Sequence, residues 1–177
     1  MSLIQTISPA NATGEIAAMY AGIKERMGFV PNAIQLRSAS PALLKLQMEG
    51  MGYFMGHPTL SMPLLACIRM LVSMKTDCLY CIDLNAGMLV NMMGWSMDQV
   101  AATRADPAAA NLPAKEVAML KFVLKGVTDS LSVTAADLDA LRALGWSDRD
   151  ILDGLFHGAN MVTGDILLNA FKVEKDM

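Results

Sequence analysis

The sequence lacks the features that mark nucleic-acid-binding, membrane and secreted proteins. Charged residues make up 18% of its 177 residues, the net charge is −3, and no basic cluster stands out, so no nucleic-acid partner is expected. Its apolar runs are short or broken by charge, as Arg69 breaks the run from Pro63 to Met74, so no membrane span is predicted. The first residues also lack the positive region and apolar core of a signal peptide. A cytoplasmic location is therefore expected.

Cysteine is scarce as well, with three residues in the chain. A structural disulfide framework is not expected in a reducing compartment, where the Cys78-x-x-Cys81 pair indicates redox chemistry, a metal or chance. A structural zinc site needs four ligands, and neither a second C-x-x-C nor a histidine pair is present, because His57 and His157 stand alone. We therefore expect no metal and no cofactor, and we place Cys67 in the core.

Apolar residues, by contrast, are abundant. They make up 54% of the chain, and sixteen of them are methionine. Such a chain can bury a large core and still have apolar surface left over, which in a small protein is often an interface between subunits. Methionine fills irregular contacts of this kind. The composition therefore favours a homo-oligomer.

Glycine and proline divide the sequence into helix-length segments. Apolar residues recur at helical spacing in most of these segments, and no strand-like alternation persists over a useful length. We predict helices over about 13–27, 31–38, 40–54, 61–74, 77–93, 96–102, 114–126, 134–144 and 147–171. Asp77 is predicted to cap the fifth helix. The expected fold is all-α: a single-domain bundle of eight or nine short helices over residues 1–177.

The fifth predicted helix carries both Cys78 and Cys81 in its first turns. Residues three apart share one face of a helix, and the free N–H groups and dipole at a helix N-terminus stabilise a thiolate. One sulfur can then attack a peroxide to form a sulfenic acid, which the other resolves as a disulfide. This pattern predicts a reaction class without identifying the substrate.

Several segments resemble the peroxidase-related branch of the alkylhydroperoxidase-like (carboxymuconolactone decarboxylase-like) proteins. Together they cover residues 14 to 172, and their order and spacing are more specific than any one of them. They are Gly28-Phe29-Val30-Pro31-Asn32, Ser38-Ala39-Ser40-Pro41-Ala42-Leu43-Leu44, Leu71-Val72-Ser73 leading to Cys78-Leu79-Tyr80-Cys81, Lys115-Glu116-Val117-Ala118-Met119-Leu120-Lys121-Phe122, Leu138-Asp139-Ala140-Leu141-Arg142, Gly145-Trp146-Ser147-Asp148 and Asp150-Ile151-Leu152-Asp153.

The resemblance implies an all-α bundle around the cysteine helix, assembled as a homo-oligomer (dimer, trimer or hexamer). The activity that it implies is thiol-dependent reduction of a small hydroperoxide, with a thiol or disulfide reductant as the second partner. In some members of the family the residue matching Cys81 meets the peroxide and the one matching Cys78 resolves the product.

The proton relay of the family's active members is missing from this sequence. Those members carry a glutamate twelve residues before the first cysteine and a histidine four residues after the second. The same positions hold Ala66 and Asn85 here, and Tyr80 occupies a place where some members have histidine. Neither Ala66 nor Asn85 can titrate, and losing a general acid or base typically costs about 10²–10⁴-fold in rate. The expected peroxidase activity is therefore weak.

Other polar groups are candidates for supporting roles. Asn85 lies at i+4 from Cys81 and can hydrogen-bond a thiolate or a peroxide oxygen. Tyr80 and Asp83 are near in sequence, although packing and a solvated surface are the alternatives for them. His157 could reach the site from another helix or from a neighbouring subunit, or could simply satisfy a backbone carbonyl.

Two other functions stay open at this point. A relative that has lost the relay could act as a redox sensor or an interaction protein. A lactone-acid decarboxylase would need a cationic or histidine-lined pocket, for which Arg69 is the only candidate inside the fourth helix.

Overall fold

The computed structural model describes residues 2–176, and every regular element in that range is helical. The nine α-helices are α1 (Gly14–Met27), α2 (Asn32–Leu36), α3 (Pro41–Met55), α4 (Met62–Lys75), α5 (Leu79–Asn91), α6 (Met97–Ala105), α7 (Ala114–Thr128), α8 (Ala135–Ala143) and α9 (Asp148–Ala170). Single turns of 3₁₀ helix occur at Arg37–Ala39, Pro107–Ala109 and Ser130–Ser132. The predicted all-helical fold is confirmed.

Side-chain caps account for several of the predicted helix starts. The Ser61 hydroxyl accepts a hydrogen bond from the Leu64 N–H at the start of α4. Ser96 forms a reciprocal capping box with Gln99 at the start of α6, and Thr134 forms one with Asp137 at the start of α8. These caps satisfy N–H groups that have no partner inside a helix.

The predicted cap at Asp77 is wrong. Cys78 is the N-cap of α5, and Asp77 has a left-handed backbone with φ of 52°. The Cys78 N–H donates to the Ser73 carbonyl at 3.0 Å, which is the six-to-one bond of a Schellman motif. Asp77 therefore belongs to the C-terminal cap of α4, and this turn delivers Cys78 to the start of α5.

Two neighbouring segments also differ from the prediction. Helix α6 continues to Ala105 instead of ending near Ala102, because its last residues form helix readily and the chain turns extended only at Asp106, directly before Pro107. The expected loop from Asp106 to Pro113 contains one turn of 3₁₀ helix, started by the Asp106 carboxylate, which accepts from the Ala108 N–H.

The chain divides into two compact units. One contains the residues up to Gly56 together with those from Leu167 onward. Its core packs α1 against α2 and α3, with Ile16, Tyr20, Ile34 and Leu44 buried. The Tyr20 hydroxyl donates to the Ile7 carbonyl at 2.9 Å, which fixes the segment before α1. The expectation of one domain over 1–177 stays a prediction.

The second unit, His57–Ile166, is built around α4. Nine residues of this helix are buried, and it packs against both α5 and α7. Helix α9 approaches α7 closely, since a Cβ added at Gly158 would lie 2.4 Å from Val123 Cγ1. Only glycine permits this distance between the helices, so Gly158 helps to set the position of α9.

The surface keeps large apolar side chains exposed, among them Leu43, Leu46, Leu152, Phe156 and Ile166. This is the leftover apolar surface that the composition predicts, and assembly into an oligomer stays a prediction. Among residues 2–176, no helix combines the length and apolar character needed to cross a bilayer.

Candidate active site

The two cysteines lie where α5 begins. Cys78 is the N-cap, and Cys81 is the third residue of the helix. Both thiols are reduced in this structure, and both are buried, with Cys78 0% and Cys81 4% exposed. The dithiol therefore lies in the first turn of the helix, where backbone N–H groups have no partner inside the helix, as the spacing predicts.

A carboxylate that the sequence analysis did not identify completes this group. Asp165 on α9 is fully buried, and one of its oxygens and the two sulfurs all lie within 4.8 Å of one another. The Ser73 hydroxyl donates to Asp165 Oδ1 at 3.0 Å, and the Thr76 hydroxyl donates to Oδ2 at 2.6 Å. Both carboxylate oxygens are thus oriented from the end of α4. We call these five residues the dithiol layer.

The two thiols differ in acidity. The Cys81 thiol hydrogen-bonds the Cys78 sulfur and lowers the pKa of Cys78. The same contact, together with burial, raises the pKa of Cys81. The Cys81 main-chain N–H also favours a Cys78 thiolate, although it makes no regular capping hydrogen bond. The contact between the two thiols thus favours a thiolate at Cys78 over one at Cys81.

Asp165 opposes the ionisation of both sulfurs. Its negative charge raises the pKa of Cys78 and of Cys81, because a like charge nearby disfavours a thiolate. The carboxylate therefore does not serve to hold a stable thiolate.

A second polar cluster borders the first along α4 and α5. Arg69 Nε donates to Asn85 Oδ1 at 2.6 Å, and Asn85 Nδ2 donates to the Cys81 carbonyl at 2.8 Å. Arg69 Nη1 lies 3.2 Å from His157 Nε2, and Nη2 makes a long contact of 3.9 Å with Met88 Sδ. We call Arg69, Asn85, His157 and Met88 the arginine layer.

Burial controls the charges in the arginine layer. It lowers the pKa of Arg69 to about 10, still well above neutral pH, while a thiolate at Cys67 or Cys81 would raise it. Burial and, to a smaller extent, the positive charge of the neighbouring Arg69 together lower the pKa of His157 to about 3. His157 is therefore neutral near pH 7, accepting from Arg69 through Nε2 while the ring also hydrogen-bonds the Leu65 backbone.

The structure separates the proposed supporting residues into different places. Asn85 and His157 lie in the arginine layer, and Asn85 bridges it to the backbone of Cys81. Tyr80 is buried in the first turn of α5. Asp83 is exposed and faces Arg104 at 3.9 Å, so its carboxylate belongs to the surface. Cys67 is fully buried, and burial raises the pKa of its thiol to about 12.

His57 lies outside both layers. Its Nε2 is 3.1 Å from Asp153, and its Nδ1 accepts from the Leu60 N–H at 3.0 Å. The imidazole thus ties the turn before α4 to the beginning of α9 within the second unit. This is a structural role.

The dithiol layer also contains a set of possible metal donors. Cys78, Cys81 and Asp165 offer two thiolates and a carboxylate within reach of one another. These donors suit zinc, but they are one fewer than a closed structural site uses. The serine and threonine hydroxyls already serve the carboxylate. A thiophilic ion at this place would compete with disulfide formation.

The sequence does not predict that Asp165 lies beside the dithiol, because it stands 84 positions after Cys81. One signal in the sequence could have identified it, since Asp165 stands three or four positions from Met161, Val162 and Leu168 and so shares an apolar side of the helix with them. A carboxylate on such a side is buried only when other groups satisfy it. The sequence does not show which groups hydrogen-bond the buried carboxylate.

Comparison with protein-family models finds no match, and comparison with curated proteins finds none. Among solved structures, the chain is similar to an uncharacterized peroxidase-related protein from Ralstonia eutropha JMP134, described as an alkylhydroperoxidase core. The TM-score is 0.87 at 22% identity, over 99% of this chain and 92% of that one. A peroxidase-related protein from Silicibacter sp. TM1040 gives 0.83 at 21% identity, over 98% and 88%.

A debrominase has a similar structure too, with a TM-score of 0.74 at 17% identity over 90% of this chain and 85% of that one. At these identities the comparisons establish the fold. The chain has the alkylhydroperoxidase-like fold, as the sequence resemblance predicts.

Proposed function

We propose that this protein is a thiol-dependent oxidoreductase that reduces small organic hydroperoxides with the Cys78–Cys81 dithiol. The observation that carries the proposal is the convergence of two buried sulfurs and one buried carboxylate at the start of a helix. A pair held only for packing would not need Asp165, whose burial is costly unless its oxygens are satisfied. The fold supports the same class of activity, because its solved neighbours include peroxidase-related proteins.

The proposed reaction consumes both thiols and one hydroperoxide. A cysteine thiolate attacks the terminal peroxide oxygen, the O–O bond breaks, and the products are a cysteine sulfenic acid and an alcohol. The second cysteine then attacks the sulfenic sulfur, which forms the disulfide and releases water. The dithiol is oxidised by two electrons and the peroxide is reduced by two. The two thiol protons end in the alcohol and the water, and an external thiol reductant restores the dithiol.

Asp165 is the proposed proton carrier for this cycle. The family's relay positions hold Ala66 and Asn85, which cannot exchange protons, whereas the Asp165 carboxylate is the titratable oxygen group beside both sulfurs. It would accept the proton of the attacking thiol and return it to the departing alkoxide. Ser73 and Thr76 hold its two oxygens in place during the exchange.

We further propose that Cys78 attacks first and that Cys81 resolves. The thiolate is the nucleophile, and Cys81 lowers the pKa of Cys78 while its own is raised. This order is the reverse of the one that the family resemblance implies, so the two accounts make different predictions for single-cysteine variants.

The test is the rate of thiol loss when reduced protein meets excess cumene hydroperoxide at pH 7, with all proteins carrying Cys67→Ser. We expect the dithiol protein to react far faster than free cysteine. Cys81→Ser keeps a hydroxyl that can donate to the Cys78 sulfur, so this variant should form a trappable sulfenic acid at least about tenfold faster than Cys78→Ser. Faster reaction of Cys78→Ser would reverse the order, and thiols no faster than free cysteine would overturn the function.

Reductive dehalogenation is a second candidate, because a debrominase shares this fold. The same dithiol could supply two electrons to a halogenated heteroaromatic compound, releasing halide and leaving a disulfide. Halide release from a brominated pyrrole in the presence of a thiol reductant, measured beside hydroperoxide consumption, separates the two substrates. For the lactone-acid decarboxylase alternative, the Arg69–His157 contact is the supporting feature.

A further inference from the structure

Arg69 carries a positive charge that its protein contacts do not neutralise. Its partners within residues 2–176 are an amide oxygen of Asn85, a ring nitrogen of His157 and a thioether sulfur of Met88. His157 is neutral near pH 7 because burial and Arg69 itself lower its pKa. A charge that is partly withdrawn from water usually has a partner of opposite sign, and among residues 2–176 none of the groups that contact Arg69 is a carboxylate.

The guanidinium is held rigidly while part of its hydrogen-bonding capacity stays unused. Asn85 fixes Nε, and His157 fixes Nη1. A guanidinium has five N–H donors, and the contacts to described residues occupy three of them, one only through a long contact to sulfur. One N–H on each terminal nitrogen is left over, and Arg69 is only partly buried. Two such donors on one planar group match the two oxygens of a carboxylate.

The position of this charge relates it to the dithiol. Asn85 contacts Arg69 through its oxygen and the Cys81 carbonyl through its nitrogen, so one side chain separates the guanidinium from the first turn of α5. A thiolate at Cys81 would raise the pKa of Arg69, as expected for two groups that one side chain separates. An anion bound by Arg69 would therefore lie beside the reacting sulfurs.

We propose that Arg69 binds the carboxylate of an acidic substrate, so that the preferred substrates are hydroperoxides of organic acids. That the substrate is a hydroperoxide rests on the proposed function, whereas the carboxylate site rests on the contacts of Arg69 alone. A single guanidinium supplies one positive charge, which suits a monoanion. Asn85 and His157 are positioning residues in this account, because they orient the guanidinium and do not touch the substrate.

The alternative is that Arg69 only balances the negative charge of Asp165 and the Cys78 thiolate. The two roles differ in what they predict for a neutral substrate. Charge balance would affect every hydroperoxide equally, since it acts on the nucleophile. A carboxylate site would affect only substrates that carry the acid.

The experiment uses 4-(2-hydroperoxypropan-2-yl)benzoate and its methyl ester, which carry the same hydroperoxide and differ in one negative charge and one methyl group. Arg69→Met removes the charge and keeps an unbranched side chain, and Arg104→Met is the matched control at the surface pair with Asp83. In Arg69→Met we expect kcat/KM for the acid to fall at least about tenfold, mostly through KM, while the ester changes less than about twofold. Arg69→Lys should give an intermediate kcat/KM for the acid, because lysine keeps the positive charge but lacks the paired N–H donors of the planar guanidinium.

A binding measurement separates this inference from the proposed function. Calorimetry with 4-isopropylbenzoate, which has no peroxide, should show binding to the wild type that weakens at least about tenfold in Arg69→Met and not in Arg104→Met. Such binding without any hydroperoxide turnover would keep the carboxylate site and overturn the peroxidase proposal. Equal losses for acid and ester, or no binding of 4-isopropylbenzoate to the wild type, would overturn the carboxylate site.

Discussion

The dithiol layer and the arginine layer are neighbouring polar clusters in one unit, yet they differ in what they can do. The dithiol layer holds two thiols and a carboxylate beside one another, and we propose that protons move among them during the reaction. The arginine layer holds a charged guanidinium and a neutral imidazole, and neither changes its protonation near pH 7.

In our proposals the dithiol layer carries out the reaction, and Arg69 in the arginine layer binds the substrate. The same three helices, α4, α5 and α9, supply both layers. The layers differ in the partners of their charged groups. The Asp165 carboxylate lies beside thiols and hydroxyls that can donate a proton, whereas the Arg69 guanidinium lies beside neutral acceptors. Replacing a residue in one layer should therefore change proton transfer or substrate affinity, but not both.

The largest expected effect comes from Asp165→Asn. Without the carboxylate, hydroperoxide reduction should fall by roughly 10²-fold, because a positioned proton carrier typically contributes at least that much. The pKa values of Cys78 and Cys81 should fall at the same time, since Asp165 raises both. Alkylation by iodoacetamide should thus begin at lower pH in the variant while peroxide turnover slows.

That combination distinguishes a proton carrier from a residue needed only for folding. Ser73→Ala is the matched control, because it removes one hydroxyl donor to Asp165 and leaves the carboxylate. It should lower turnover less than Asp165→Asn does. If alkylation and peroxide turnover changed in the same direction in Asp165→Asn, the proposed proton role would be wrong.

A smaller effect is expected from the pH dependence of stability. His157 is neutral in the folded protein, with a pKa of about 3, against about 6.5 in an unfolded chain. Its contribution is therefore complete above pH 6.5 and is lost as the pH falls toward 3. Between pH 7.5 and 5.5 the wild type should lose about 1 kcal/mol more of its free energy of unfolding than His157→Gln loses.

Urea denaturation at the two pH values measures this difference. Glutamine keeps an oxygen that can accept from Arg69, so the comparison isolates the titration of the imidazole. An equal loss in both proteins would mean that His157 is not buried as a neutral ring. The assignment of a neutral imidazole beside a charged Arg69 would then be wrong.

The helices were predictable because their signals are local. Proline at the first position of α3 and capping residues such as Ser61, Ser96 and Thr134 lie within one turn of the ends that they mark. Asp77 was misassigned for an equally local reason, because an aspartate between two helices can cap the second or complete the turn that ends the first. The Ser73–Cys78 backbone bond decides between them, and the sequence does not show it.

The site was only half predictable. The dithiol and Asn85 lie on one helix, so their spacing was enough to bring them together. Asp165 and the partners of Arg69 come from helices far apart in sequence, and tertiary packing decides which side chains meet. Gly158 illustrates the point, since its missing side chain lets α9 approach α7, and that approach helps to place His157 and Asp165.

The most direct test of the central claim is a single-turnover reaction of reduced Cys67→Ser protein with one equivalent of cumene hydroperoxide, followed by peptide mapping. The account predicts one equivalent of alcohol and one Cys78–Cys81 disulfide, formed much faster than free cysteine reacts. Alcohol formed no faster than with free cysteine, or oxidation that ends without this disulfide, would contradict it.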